Sequence, residues 1–251
     1  MNRNGQAGKR QNGFTLIEML VVVLILGIVS AGLFAQIDAA QQRAFTEQVK
    51  LDNFQEARDF VDQFFRDINQ IGYPNSRLID TANWSPTAPQ LAPQLINDNR
   101  VAIGLVRIEA NAIQFEGDVN GSGNVQSINY KVNGSTTCPL CLQRSQVDKV
   151  FGTSPLNQGT IWGTSVNDVD LTNPIFTYFR ADGSQVTGLP VDITTGAQTI
   201  ASIKTIQISL VIRNNNVLDP KTRQPIETTF QGEVSLNNCS MAATGAPMSC
   251  Q

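Results

Sequence analysis

The sequence predicts an α+β fold in which a long amino-terminal helix packs on an antiparallel β-sheet domain. Residues 14–35 form an apolar run, and the next 36 residues carry apolar side chains mostly three and four positions apart, as an amphipathic helix does. Beyond residue 100, short segments alternate apolar with polar residues, which is typical of half-buried strands. The predicted segments are a leader at 1–13, a transmembrane half-helix at 14–35, an amphipathic half-helix at 36–72 and a β-rich globular domain at 73–251.

The apolar run from Phe14 to Ala35 is long enough to cross a bilayer. Its 22 residues form a helix of about 33 Å, which matches a hydrocarbon core of about 30 Å. The leader carries three basic residues and no acidic residue, so the positive-inside bias keeps it in the cytoplasm and exports the rest of the chain. The alternative is an ordinary signal peptide cut near the small residues Ser30-Ala31-Gly32.

Glu18 is the first candidate functional residue, because it lies four residues into this run. An ionised carboxylate costs at least a few kcal/mol in a bilayer core, so it needs a partner or a functional reason to be there. The alternative is an interfacial position, in which Glu18 reaches the headgroups from near the helix start.

The residues Gly13-Phe14-Thr15-Leu16-Ile17-Glu18, placed between a basic leader and an apolar run, resemble the amino-terminal motif of type IV pilins and pseudopilins. The resemblance implies that a prepilin peptidase cleaves between Gly13 and Phe14 and N-methylates Phe14. It also implies that Glu18 meets the amino terminus of a neighbouring pilin during assembly. The inner membrane holds such a precursor, with the globular domain outside, before it enters the pilus.

Two further segments resemble, more loosely, larger minor pilins of the PilW type. They are residues 115–125, and Phe176-Thr177-Tyr178-Phe179 followed by Asp182-Gly183. The implied function is that of a minor pilin, a structural and assembly subunit of a type IV pilus. The alternatives are a minor pseudopilin of a type II secretion system and a pilus-tip binding module for adhesion or DNA uptake.

The helix is predicted to end at Ile71, because Gly72-Tyr73-Pro74 follows it. Residues 76–100 contain three prolines and little periodicity, which predicts a long surface loop. The predicted strands are 101–108, 112–116, 128–132, 175–179, 205–212 and 230–236. The predicted hairpin turns are Asn120-Gly121, Asn133-Gly134 and Asp182-Gly183.

The turn at Asn120-Gly121 also has the opening spacing of a calcium loop, with oxygen ligands at Asp118, Asn120 and Ser122. The twelfth loop position is Asn129, which lacks the usual bidentate carboxylate, although Glu116 could reach inward from the preceding strand. The alternative is an ordinary hairpin turn. Calcium is the one cofactor for which the sequence offers a candidate site.

The four cysteines lie on the exported side, where oxidising conditions favour structural disulfides; they are Cys138, Cys141, Cys239 and Cys250. Three pairings are open, and sequence alone does not choose among them. The resemblance to pilins, which often close a loop at the carboxyl end, implies Cys239 with Cys250 and leaves Cys138 with Cys141. Zinc is disfavoured because the chain has no histidine, and a redox centre because the βαβ setting is missing.

Composition argues against two classes of function. Without histidine, a nucleophile elbow or a P-loop, enzymatic activity is not expected. Removing the three basic leader residues from the chain's 18 leaves 15 basic and 21 acidic side chains, a net charge of about −6. Such a chain is poorly suited to bind nucleic acid without specificity, which needs clustered cations.

Overall fold

The computed structural model describes residues 13–74, 97–135 and 138–236. The leader before Gly13, most of the predicted loop and both carboxyl-terminal cysteines lie outside these residues. The chain divides into two compact units, residues 1–48 and 49–251. A long helix passes from the first unit into the second.

Helix α1 runs from Leu16 to Asn69 and contains 54 residues. It begins two residues later and ends two residues earlier than the sequence predicts. Past its end, Gly72 has a φ of 70°, a left-handed conformation that glycine adopts without steric cost. The N–H of Gly72 donates to the carbonyl of Glu116 at 2.9 Å, so the end of the helix is tied to a strand.

Nine strands, a 3-10 helix at Pro155–Asn157 and one short α-helix follow among the described residues. In chain order they are β1 Leu105–Ile108, β2 Ala112–Gly117, β3 Gln126–Ser135, β4 Cys138–Asp148, β5 Trp162–Val166, β6 Phe176–Arg180, β7 Val191–Asp192, α2 Ala197–Ala201, β8 Ile203–Leu218 and β9 Pro225–Ser235. A six-stranded sheet has the order β5-β4-β3-β2-β1-β7, and a three-stranded sheet has the order β6-β8-β9. Every pairing is antiparallel.

The hydrophobic core lies between the second half of α1 and the two sheets. Buried side chains of α1 recur at steps of three and four; they are Ala57, Phe60, Val61, Phe64 and Ile68. The Phe60 and Phe64 rings meet Tyr130 of β3 edge-on, at centroid distances of 5.5 and 5.2 Å. Phe64 also lies 5.4 Å from Phe176 of the smaller sheet, so one helix face joins both sheets.

The predicted α+β class, with its long helix and antiparallel sheets, is confirmed. The turns at Asn120-Gly121 and Asp182-Gly183 are also confirmed, since both dipeptides lie in turns. The predicted turn at Asn133-Gly134 is wrong, because both residues lie within β3, where the pairing with β4 changes register. An Asn-Gly pair can sit in such an irregularity as well as in a hairpin turn.

Candidate functional site

The amino-terminal segment places the predicted cleavage point outside the helix. Gly13 and Phe14 are exposed and precede α1, and the Phe14 side chain is 76% exposed. A Cβ added at Gly13 would meet no other atom within 4 Å. The peptide bond between Gly13 and Phe14 is therefore accessible within the described part of the chain.

Thr15 and Glu18 form the start of the helix. The N–H of Glu18 donates to the Thr15 hydroxyl at 3.3 Å, and the N–H of Met19 donates to the Thr15 carbonyl at 3.2 Å. Thr-x-x-Glu is the sequence of a capping box, and a carboxylate in the first turn also interacts favourably with the helix dipole. Glu18 is exposed, so its carboxylate is accessible to a partner from outside the chain.

The first half of α1 is apolar on every side. All its large apolar side chains from Leu16 to Phe34 are at least 48% exposed, and its most apolar stretch has a mean hydropathy of 2.7. None of that stretch is buried by the described protein. A helix of this length and composition is able to cross a membrane, and it needs lipid or other helices to cover it.

The predicted calcium residues lie together on the β2–β3 turn, but their oxygens bond to the backbone of that turn. The Asp118 carboxylate accepts the N–H groups of Ser122 at 3.0 Å and Gly123 at 2.7 Å, and the Asn120 side chain accepts the Ser122 N–H at 3.0 Å. This is the bonding of an Asx turn. No group of three or more His, Cys, Asp or Glu side chains placed to hold a metal ion occurs in the described ranges. Calcium binding here stays a prediction.

Glu116 does not reach that turn, so the expectation that it could complete the loop is wrong. Its carboxylate accepts a hydrogen bond from Nζ of Lys149 at 2.6 Å, and both side chains are fully buried. Lys149 also donates to the Val101 carbonyl at 2.9 Å. The second carboxylate oxygen of Glu116 is buried without a hydrogen-bond partner in the described structure. Burial raises the pKa of Glu116 to about 7, although Lys149 acts in the opposite direction.

This pKa predicts a pH dependence of stability. Because the pKa of Glu116 in the folded protein lies above its ordinary value of 4.5, protonation of Glu116 favours the fold. Its contribution to stability is complete below about pH 4.5 and is lost as the pH rises through about 7. Relative to Glu116→Gln, the wild type should lose unfolding free energy as the pH rises from 4.5 to 7.5. Urea unfolding of both proteins across this range measures the difference, and parallel pH profiles would contradict it.

Cys141 is the one cysteine whose side chain the structure describes. It lies on β4, is 1% exposed, and its Sγ is 3.0 Å from Oδ1 of Asn167. The side chain of Cys138 lies outside the described residues, as do Cys239 and Cys250. The pairing of the four cysteines therefore stays a prediction.

Asp67 is a buried charged residue in the second half of α1. Its carboxylate is 1% exposed and accepts hydrogen bonds from the Tyr130 hydroxyl at 2.7 Å and from Nε of Arg144 at 2.5 Å. Burial, together with the Asp67 charge, raises the pKa of Tyr130 well above its ordinary value, so the hydroxyl stays protonated as a donor. The signal in the sequence was the position of Asp67 between Phe64 and Ile68, which belong to the apolar stripe.

Comparison with known proteins identifies one part of the chain. A family model, the prokaryotic N-terminal methylation motif, matches residues 8–34. Comparison with curated proteins and with solved structures gives no match. The matched residues include the end of the basic leader, the exposed Gly13–Phe14 bond, Glu18 and the uncovered apolar helix. This match supports the resemblance of the amino-terminal segment to that of type IV pilins and pseudopilins.

Proposed function

We propose that this chain is the precursor of a minor pilin, a structural and assembly subunit of a type IV pilus. A prepilin peptidase removes residues 1–13 and methylates the new amino terminus at Phe14. Until assembly the protein stays in the inner membrane, with its amino terminus in the cytoplasm and its globular domain outside. Its partners in the filament are other pilins, which it contacts through α1, and it performs no catalysis.

The observation that carries the proposal is the methylation motif on a helix whose apolar side chains are exposed all round. A helix that packed only on its own domain would have one apolar face and one polar face, as the second half of α1 has. The first half has no polar face to turn toward water. Lipid covers such a helix in the precursor, and neighbouring helices cover it in a filament.

The size of the globular part supports a minor rather than a major subunit. The unit from residue 49 to residue 251 contains two sheets and long connections. A domain this large is awkward to repeat thousands of times along a tightly packed filament. The resemblance of residues 115–125 and Phe176–Phe179 to larger minor pilins favours a pilin over a pseudopilin.

Changing Gly13 to leucine should stop processing. In the presence of prepilin peptidase, the wild type should lose 13 residues and carry an N-methylated Phe14, whereas Gly13→Leu should accumulate as full-length precursor in the inner membrane. Intact-mass spectrometry of membrane extracts measures both. Gly27→Leu is the matched control, because an added Cβ at either glycine meets no atom within 4 Å. Cleavage near Ala31, or normal processing of Gly13→Leu, would show that the pilin interpretation is wrong.

A pilin and a pseudopilin can be distinguished by the cellular fraction in which the mature protein is found. Methylated protein in sheared surface filaments is the expected result for a minor pilin. If deletion of the gene blocked secretion of folded proteins and left the filaments unchanged, the protein would instead be a pseudopilin.

A further inference from the structure

A polar groove crosses the face of the six-stranded sheet that points away from α1. Its volume is about 280 Å³. The floor consists of outward-facing residues of β1, β2 and β3, and the wall is the segment from Leu156 to Trp162. The opposite face of the same strands carries Phe115, Ile128 and Tyr130 into the core. The groove therefore lies on a part of the domain that the helix leaves uncovered.

Strand register places five side chains in one row across this face. Directly opposed residues run from Trp162 on β5 through Ser145, Asn129 and Gln114 to Arg107 on β1. Residues opposite one another on neighbouring strands point to the same face, and strands lie about 4.8 Å apart. The strands of Trp162 and Asn129 are thus about 10 Å apart, with the small, buried side chain of Ser145 on the strand between them.

The wall of the groove is held in place by hydrogen bonds. Gln114 donates to the carbonyl of Pro155 at 2.7 Å, and the N–H of Ile161 donates to the Ser145 hydroxyl at 2.8 Å. Gln158 accepts the N–H of Val150 at 2.8 Å and donates to the carbonyl of Thr153 at 3.0 Å. The wall is therefore anchored to the floor at two points, so a ligand need not order it on binding.

Two polar groups on the floor have no partner within the described residues, the Asn129 amide and the Lys131 ammonium. Both side chains line the groove. Arg107, in contrast, is paired with Glu109 at 2.5 Å. The groove thus offers one uncompensated cation, an amide with two donors and one acceptor, and a half-buried indole.

We infer that this groove binds a glycan through a sugar ring that carries one carboxylate, such as a uronic acid. A pyranose ring has an apolar C–H face that packs on an indole, and hydroxyl groups that both donate to and accept from an amide. The free ammonium of Lys131 pairs with the single carboxylate. Single-stranded nucleic acid fits less well, because it needs several cations along its backbone and the mature chain is acidic.

The test uses the mature full-length protein in a zwitterionic detergent that contains no sugar. The chain has two tryptophans, so Trp84→Phe makes Trp162 the only indole reporter. An oligogalacturonate should change its fluorescence saturably, and the methyl ester of the same oligosaccharide, which lacks the charge, should bind about tenfold more weakly. Lys131→Met should abolish this difference between acid and ester. Asn129→Ala should weaken the binding of both, and Lys221→Met, at an exposed turn, should change neither.

Trp162→Ala lacks the fluorescent reporter, so oligogalacturonate binding to this variant and to the wild type is measured by saturation-transfer NMR. Circular dichroism confirms that the variant is folded. Loss of the transfer signal in folded Trp162→Ala supports the proposal. Three results would overturn it: no binding of either oligosaccharide, equal binding of acid and ester, or tighter binding of an oligothymidylate at the same residues. None of these variants changes the amino-terminal motif, so a failure of glycan binding is distinguishable from a failure of the proposed processing and assembly.

Discussion

Replacing Glu18 with alanine should reduce the amount of this protein in sheared filaments at least tenfold, while its level in the inner membrane stays at that of the wild type. The substitution makes the apolar run more apolar, so membrane insertion is not impaired. In the proposed filament, the methylated amino terminus of a neighbouring subunit loses its carboxylate partner. An unpaired charge in an apolar environment costs about 3–5 kcal/mol, which is more than a hundredfold in an equilibrium constant.

Two further substitutions, one at Glu18 and one at the residue that caps its N–H, are the matched controls for this experiment. Glu18→Gln keeps the size of the side chain and removes its charge, so it should behave like Glu18→Ala. Thr15→Ala removes the helix cap, at a cost of about 1 kcal/mol, but leaves the carboxylate, so its recovery in filaments should stay near that of the wild type. Equal recovery of wild type and Glu18→Ala would remove the assembly role and place Glu18 at the headgroup interface.

Changing Asp67 to alanine should lower the free energy of unfolding by about 3–5 kcal/mol. The carboxylate joins α1 to two strands, since it accepts hydrogen bonds from Tyr130 on β3 and Arg144 on β4. Without it, a guanidinium whose side chain is only 11% exposed has lost its counter-ion. Chemical denaturation of the mature protein in detergent measures the change, which is a large part of a typical domain stability of about 5–15 kcal/mol.

A double-mutant cycle separates this network from simple loss of packing. Adding Arg144→Met to Asp67→Ala should recover part of the lost stability, because the unpaired charge is then also removed. Asp62→Ala is the matched control on the same helix, since the pair between Arg58 and Asp62 is at least half exposed on both side chains. It should cost less than about 1 kcal/mol. A loss at Asp67 no larger than the loss at Asp62 would contradict the network.

The helix and several strands could be predicted from the sequence because local patterns determine them. The apolar stripe of α1 has one period over many turns, and β8 alternates polar with apolar residues from Thr205 to Leu210. Strand β4 was not predicted, because polar residues occur on both of its faces. Arg144 points toward the helix and pairs with Asp67, so a charged residue occupies an inward position of β4 and the alternation typical of a half-buried strand is missing. A tertiary contact thus hid the strand pattern.

The amino-terminal motif could be recognised because its residues are contiguous in the sequence, and the family model matches the same segment. The row from Trp162 to Arg107 could not, because it depends on the register of five strands whose members lie up to 55 positions apart. No local pattern fixes which residues face one another over such separations. For the same reason Glu116 could not be assigned to Lys149, which follows it by 33 positions.

The uniform exposure of the first half of α1 would make the proposed assembly reversible. Hydrocarbon tails and the side chains of packed helices are about equally apolar, so transfer of this helix between the two changes its solvation free energy little. Entry into a filament and return to the bilayer therefore face similar solvation terms. In the proposed filament the balance between the two states therefore depends on close packing and on the contact of Glu18 with a neighbouring amino terminus, so a small free-energy change is enough to shift it in either direction.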